Sequence, residues 1–393
     1  MTTGTTQQKA IPYGRQTITE ADIQAVISTL TSDFLTQGPA IAEFENAFAA
    51  YVGSTYAVAV SNGTAALHLC AMALNVNEHT RVITTPITFA ASANCVRYCG
   101  GEVHFADIDP DTFLLDLNAV KALIEKHPQG YFQGIIPVDF AGNAVNLEAF
   151  RALADKHNLW IIEDACHAPG GYFTDSKGNK QNCGNGNFAE LAIFSFHPVK
   201  HIATGEGGMI TTNDKALYDR LMVLRTHGIT KDAAKFENDA NEVAQGGWYY
   251  EMQELGYNYR LTDFQAALGV SQLTRAVENL DRRKQIAKRY DEAFAGSNVI
   301  TPLSIPGHAY HLYVIRTNDR EGLYNYLRAH NIFAQVHYVP VHLMPYYKKQ
   351  GLKKGDLPNA EAYYDQCLSI PMYHSLSDSE QEYVIETILN YNK

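Results

Sequence analysis

Long apolar runs are missing from this chain. No stretch approaches the roughly 18 residues that a membrane-crossing helix needs, which excludes a membrane span. Paired cysteines are missing too. Cys70, Cys95, Cys99, Cys166, Cys183 and Cys367 are scattered without a CxxC, the pattern of reduced thiols in a cytoplasmic protein. Positive charge is short: 31 Lys and Arg stand against 42 Asp and Glu, a formal balance of −11. A nucleic-acid backbone needs a basic face, so that partner is disfavoured, although a local pocket can still hold a small anion. No GxGxxG follows the first strand-like run, which argues against a dinucleotide-binding oxidoreductase. The first ten residues, Met1 to Ala10, are polar and lack the apolar centre of a signal peptide.

What is present is a globular pattern. Of 393 residues, 46% are apolar and 19% charged, too apolar for a disordered chain, and the length suggests two lobes. Thr19 caps a helix over 19–30, with Ile23, Val26, Ile27 and Leu30 on one face. A second helix over about 40–51 leads into the strand-like run 56–60. Strand and helix patterns then alternate. Strand candidates lie at 81–85, 102–108, 134–140, 159–164, 191–196 and 208–212, with helices near 88–99, 117–127 and 147–157. The strands are continuous apolar runs, as expected when helices cover both faces of a parallel sheet. Residues 175–187 read as a surface loop or hairpin. From about 262 long helices take over, and beyond about 297 shorter elements, including strands 311–317 and 333–341, mark a smaller lobe. We therefore expect an α/β fold: a three-layer, mostly parallel lobe over 37–275, a small C-terminal α/β lobe over 276–393, and an N-terminal segment 1–36 that reaches the site.

Four features fall near the C-terminal ends of strands, where open α/β sheets bind ligands. Ser61-Asn62-Gly63-Thr64-Ala65 is a strand-to-helix turn whose free N–H groups at Gly63, Thr64 and Ala65 would hold a phosphate; it also reads as an ordinary capped helix. Glu163-Asp164 ends an apolar strand, where a carboxylate needs a partner such as a protonated ring nitrogen, or serves as a helix cap. Lys200 sits in Ser195-Phe196-His197-Pro198-Val199-Lys200-His201, ahead of a glycine-rich stretch. Desolvation there would lower its pKa and suit Schiff-base chemistry. His197 and His201 are four apart, but Pro198 lies between them and a third ligand is missing, so zinc is disfavoured. Gly256-Tyr257-Asn258-Tyr259-Arg260-Leu261-Thr262 leads into a helix and says little alone.

Together the words SNGTAAL, TTPITFAAS, EDACHA, SFHPVKHIATGEGG and LGYNYRLTDFQAALG resemble the DegT/DnrJ-type sugar-nucleotide aminotransferases, with the aspartate aminotransferase-like fold of pyridoxal 5′-phosphate (PLP) enzymes. The likeness runs from Ile11 to about Ile388. HPVKHI and YYEMQELGYNYRLTDFQAALG are most similar to the branch making the 4-amino sugar of pseudaminic acid. The resemblance implies that Lys200 forms the Schiff base and shuttles a proton, and that Asp164 keeps the pyridine nitrogen protonated. It implies that Phe89 stacks on the ring, that His167 lies near the 3-hydroxyl, and that Gly63, Thr64 and Ser195 hold the phosphate. Asn258 would reach the phosphate of a neighbouring subunit in a homodimer. Tyr13, Asp33, Phe34, Leu35, Thr36, His337 and Tyr338 would contact the nucleotide sugar.

The chain departs from the family pattern at His167, where many relatives have Gln, and at Met344, where His-Leu-Gln-Pro is frequent. The implied reaction moves an amino group from glutamate to C4 of a UDP-linked 4-keto-6-deoxy-N-acetylhexosamine. Related sugar 3-dehydratases carry His in place of the lysine, so Lys200 favours transamination. A regulatory protein using the fold without catalysis is the reading from another class.

Overall fold

A computed structural model describes residues 9–239, 241 and 246–391. The reading of Met1 to Ala10 therefore concerns residues that, up to 8, lie outside the described ones. After a two-residue strand at Ile11–Pro12 (β1), the strands are Tyr56–Val60 (β2), Arg81–Thr84 (β3), Glu102–Phe105 (β4), Gly134–Ile136 (β5) and Trp160–Asp164 (β6). They continue with Tyr172–Thr174 (β7), Lys180–Asn182 (β8), Leu191–Ser195 (β9) and Gly208–Thr212 (β10). Seven of them form one sheet in the order β2-β10-β9-β6-β5-β3-β4. β10 runs antiparallel to both its neighbours, and every other pairing is parallel. The stretch expected to be a loop or hairpin is the hairpin β7–β8.

The apolar runs have a direct cause. Val58 and Val60 of β2 pack into one core cluster while Ala57 and Ala59 pack into another, on the opposite face. Ile193 and Phe194 of β9, and Ile210 and Met209 of β10, divide the same way. Side chains alternate across a strand, so a strand covered on both faces must be apolar at every position. The helix Gly63–Ala73 supplies Ala66 and Leu69 to the first cluster, and Pro39–Val52 supplies Phe44 and Phe48 to the second. A third cluster joins Ile11 to Ile286, Tyr290, Tyr313, Leu323, Leu368 and Val384. There β1 pairs in parallel with Ile332–Phe333, tying the N-terminal segment to the C-terminal part of the chain.

Three expectations need correction. The apolar run 134–140 is strand only to Ile136, because Pro137 offers no N–H to continue the ladder. The run 333–341 is not one strand: the strand ends at Phe333, a lone antiparallel bridge joins Gln335 to Ser369, and a 3-10 turn begins at Val341 just after Pro340. The long helical stretch after 262 is two helices, Asp263–Leu273 and Ala276–Phe294.

The first helix, α1 (Glu20–Leu30), has the expected Thr19 cap, closed into a capping box by Asp22. Its apolar side, however, faces outward: Ile23, Ile27 and Leu30 are 44%, 45% and 53% exposed. Asp22 is the fully buried residue. It accepts hydrogen bonds from Ser271 Oγ (2.6 Å), Gln272 Nε2 (2.9 Å) and Arg275 (2.8 Å). A buried carboxylate with this many donors determines which way the helix rolls.

Candidate active site

The ends of β3, β5, β6 and β9, together with the turn after β2, open onto one cavity of about 920 Å³. Gly63, Thr64, Phe89, Asp164, His167, Ser195 and Lys200 all line it, as do Tyr13, His337 and Tyr338. These residues, from six separate stretches of sequence, meet where the sheet topology places a ligand.

The turn after β2 supplies the anion end. Asn62 caps the helix Gly63–Ala73 by accepting the Ala65 N–H at 2.8 Å. This corrects one detail: Ala65 is engaged, which leaves the Gly63 and Thr64 N–H groups to face a phosphate. A Cβ on Gly63 would lie 3.0 Å from Ser195 Cβ and 3.6 Å from Cys166 Sγ, so the absent side chain is what opens the cradle.

Asp164 ends β6 and is 5% exposed. Ser92 Oγ donates to its Oδ2 at 2.7 Å and the Cys166 N–H to its Oδ1 at 3.2 Å, fixing the carboxylate on the cavity wall. Ser92 escaped the sequence reading, although it lies in the TFAAS segment that supplied Phe89. Lys200 follows β9, and burial lowers its pKa, against the opposing pull of Cys166 and Asp164. No carboxylate among the described residues forms an ion pair with its amine.

His167 is held at both nitrogens. Nδ1 accepts the Ala141 N–H at 3.2 Å, which places the proton of the neutral ring on Nε2, 3.2 Å from the Tyr338 hydroxyl. Nε2 then donates to the Tyr338 oxygen, and the Tyr338 hydrogen is free to turn toward the cavity. His337 Nδ1 pairs with Ser369 Oγ at 2.9 Å, and burial pushes its pKa down to about 3. Phe89 is 63% exposed along the cavity wall, its ring 6.4 Å from that of Tyr338.

Other expected residues lie outside this chain's cavity. Asp33, Phe34, Leu35 and Thr36 are exposed and do not line it. Thr36 bridges Thr262, and Leu35 accepts the Asp263 N–H at 3.0 Å, so the segment rides on the start of the helix Asp263–Leu273. Asn258 is exposed and outside the cavity, between Tyr257 and Tyr259, which line it.

Two buried groups went unread in the sequence. Behind Lys200 lies a basic one: the His167 and His311 rings are 4.4 Å apart, and those of His201 and His311 5.7 Å. Arg283, 1% exposed, donates to the carbonyls of Tyr310, His311 and Met372 rather than to a carboxylate, and burial lowers its pKa to about 9. Behind Asp164 lies an acidic group of Asp139, Glu163 and Cys183, whose polar atoms all fall within 4.8 Å of one another. Glu163 stood beside Asp164 in the sequence, and strand alternation alone would have turned it to the other face.

A lysine amine of lowered pKa, a fixed carboxylate and a glycine-opened helix start around one cavity suit a phosphorylated pyridine aldehyde. The chain belongs to the DegT/DnrJ/EryC1/StrS aminotransferase family, whose profile matches residues 16–389. It is a sugar aminotransferase of the aspartate aminotransferase-like fold, and its cofactor is PLP. It is 39% identical to the Bacillus subtilis spore coat polysaccharide biosynthesis protein SpsC, over 96% of both chains. It is 36% identical to the UDP-4-amino-4,6-dideoxy-N-acetyl-beta-L-altrosamine transaminase of Campylobacter jejuni, over 97% of both. Among solved structures, Helicobacter pylori PseC, an aminotransferase of pseudaminic acid biosynthesis, superposes with a TM-score of 0.86 at 30% identity, covering 98% of this chain and 99% of that one.

Proposed function

We propose that this enzyme moves an amino group from glutamate to C4 of a UDP-linked 4-keto-6-deoxy-N-acetylhexosamine, in two half-reactions at Lys200. The observation that carries this reading is the shared cavity: Lys200 and Asp164 line it together with the Gly63 cradle. Its support for the sugar is the named activity of the Campylobacter relative and the pathway of the Helicobacter enzyme.

When bound, PLP supplies a carbonyl that exchanges nitrogen with amines and a ring that withdraws electrons from the neighbouring carbon. The chain does the rest. Gly63, Thr64 and Ser195 would hold the phosphate and anchor the cofactor at that end of the cavity. Asp164, fixed by Ser92 and the Cys166 N–H, keeps a positive charge on the ring nitrogen. Phe89 covers the ring face. Lys200 Nζ, whose pKa burial lowers, takes and returns the proton at the carbon that bears nitrogen. His167 orients Tyr338 so that its hydroxyl hydrogen can meet an oxygen on ring or sugar. Tyr13, His337 and Tyr338 form the sugar side of the cavity.

The assembly that fits is a homodimer in the cytoplasm. The outward apolar face of α1 is an unfilled contact in a single chain. In such a dimer segment 33–36, tied to the helix start through Thr36–Thr262, and Asn258, bridged to Thr226, would serve a second copy's cavity. All six cysteines are free, the state a reducing compartment maintains. Among the described residues, no helix is long and apolar enough to cross a membrane.

The test is incubation with glutamate and a panel of 4-keto and 3-keto sugars linked to UDP and to other nucleotides, with the amino sugar identified by mass spectrometry and NMR. Product only from 3-keto or non-UDP sugars would overturn the substrate. Lys200→Ala is expected to bind PLP yet leave no borohydride-fixed cofactor on the chain, and to lose turnover.

A further inference from the structure

The acidic group behind Asp164 has no role in the reaction as derived. Asp139 and Glu163 are 0% and 2% exposed. The Val145 N–H donates to Asp139 Oδ1 at 2.8 Å, while Asp139 Oδ2 is buried with no partner among the described residues. Both Glu163 oxygens face the single Gly184 N–H at 3.0 Å. The remaining groups shown to act on the two acids are the Cys183 thiol, Asp164 and Cys166, and none of them is a cation. Two carboxylates this close cannot both ionise without a counter-charge, and two donors cannot satisfy four lone-pair-bearing oxygens. Burial pushes both acids above the ordinary carboxylate range, and the neighbouring Asp139 pushes Glu163 further up.

We propose that Asp139 and Glu163 share one proton, so that the pair carries a single buried negative charge and works through Asp164 as a positioning element for the protonated ring nitrogen. The backbone couples the two sites. The Asp139 N–H donates to the Asp164 carbonyl at 3.0 Å, and the Asp164 N–H to the Pro137 carbonyl at 2.9 Å. Glu163 is the residue before Asp164 on β6. A fixed negative charge behind Asp164 adds to the field at the atom Asp164 faces, favouring positive charge there. The inference rests on the reading of Asp164 as the partner of that nitrogen.

It has a distinctive signature. In Glu163→Gln or Asp139→Asn, an amide N–H replaces the shared proton and the other acid keeps the charge. Only the double variant removes the charge. In the apoprotein, folding of the wild type takes up a proton that neither single variant binds. Raised carboxyl pKa values give stability that is present at low pH and lost as pH rises. The wild-type folding constant should therefore fall about tenfold per pH unit more steeply than that of either single variant, from roughly pH 6 to 8. Urea unfolding of the apoproteins measures this. With ¹⁵N-labelled PLP bound, the ring-nitrogen titration should stay near the wild type in both singles and move down by about one pH unit in the double variant.

Equal slopes in wild type and singles would overturn the shared proton. Zinc that raises the melting temperature of the wild type but not of Asp139→Asn would also overturn it, in favour of a metal. Should the variants fail to fold, infrared spectra of the wild type still decide: a protonated-carboxyl band that persists at neutral pH supports the pair, and its absence sinks it. Asp164→Asn separates the two readings, because the apoprotein slope survives it whether or not Asp164 faces the nitrogen.

Discussion

The two walls of the cavity are built from opposite chemistry. The wall at the end of β6 is acidic: Asp164, with Asp139 and Glu163 behind it. The wall after β9 is basic: Lys200, with His167, His201 and His311 behind it and Arg283 beyond. Each wall is buried, and in each burial works against the charged form. The result is symmetrical in cause and opposite in effect. Desolvation moves the lysine toward its basic, neutral form, and it makes the acids behind Asp164 hold a proton more tightly than they would in water. Asp164 accepts two hydrogen bonds, from Ser92 Oγ and the Cys166 N–H. The lesson is that the two walls differ in sign but share a cause, and that within the acidic wall the donors go to Asp164 rather than to Asp139 Oδ2.

Removing the anion should break this contrast most severely. Asp164→Asn is expected to fold yet lose about a hundredfold or more in kcat, since it removes a preorganised charge at a developing electron sink. Stopped-flow half-reactions would read this directly. Acid should expose the basic wall next. His167, His201 and His311 have pKa values pushed well below 6.5, and His337 is pushed down to about 3, so the unfolded chain binds more protons than the folded one below about pH 6.5. Stability is full above that pH and falls on acidification, by about 1.4 kcal/mol per pH unit for each histidine. Replacing His201 by Gln should flatten the apoprotein's acid unfolding profile by about one proton.

Crowding the cradle should cost less. Gly63→Ala puts a Cβ 3.0 Å from Ser195 Cβ, and overpacking of about 1–3 kcal/mol should weaken PLP binding by roughly tenfold or more in equilibrium dialysis. The smallest effect belongs to Tyr338→Phe. It loses the contact to His167, about 1 kcal/mol, and should lower kcat/KM for the sugar several-fold while leaving the PLP affinity near the wild type.

How far the walls could be read from the sequence follows from how each is built. Asp164, Ser195 and Lys200 end or follow apolar strands, so local pattern marked both the strand and the polar interruption. The run 147–157 is helix to the residue, Leu147–His157, because Asn146 caps it and Asn158 closes it. The second layer was hidden for the opposite reason. Asp139 meets Glu163 only through the parallel register of neighbouring strands, and Cys183 arrives from beyond the hairpin β7–β8. His201 and His311 are more than a hundred residues apart and meet only on packing. The outward face of α1 misleads in the same way: its apolar spacing is a true helix signal, but only the distant Ser271, Gln272 and Arg275 decide that Asp22 turns inward.

Glu163 and Asp164 are consecutive letters of one strand that look out on opposite sides of a sheet. Because that alternation has a period of two, losing or gaining a single codon in Trp160–Asp164 would exchange their views, sending each acid to the other's neighbours. In this short strand a change in length is therefore expected to cost more than a change of residue at Trp160 to Ile162.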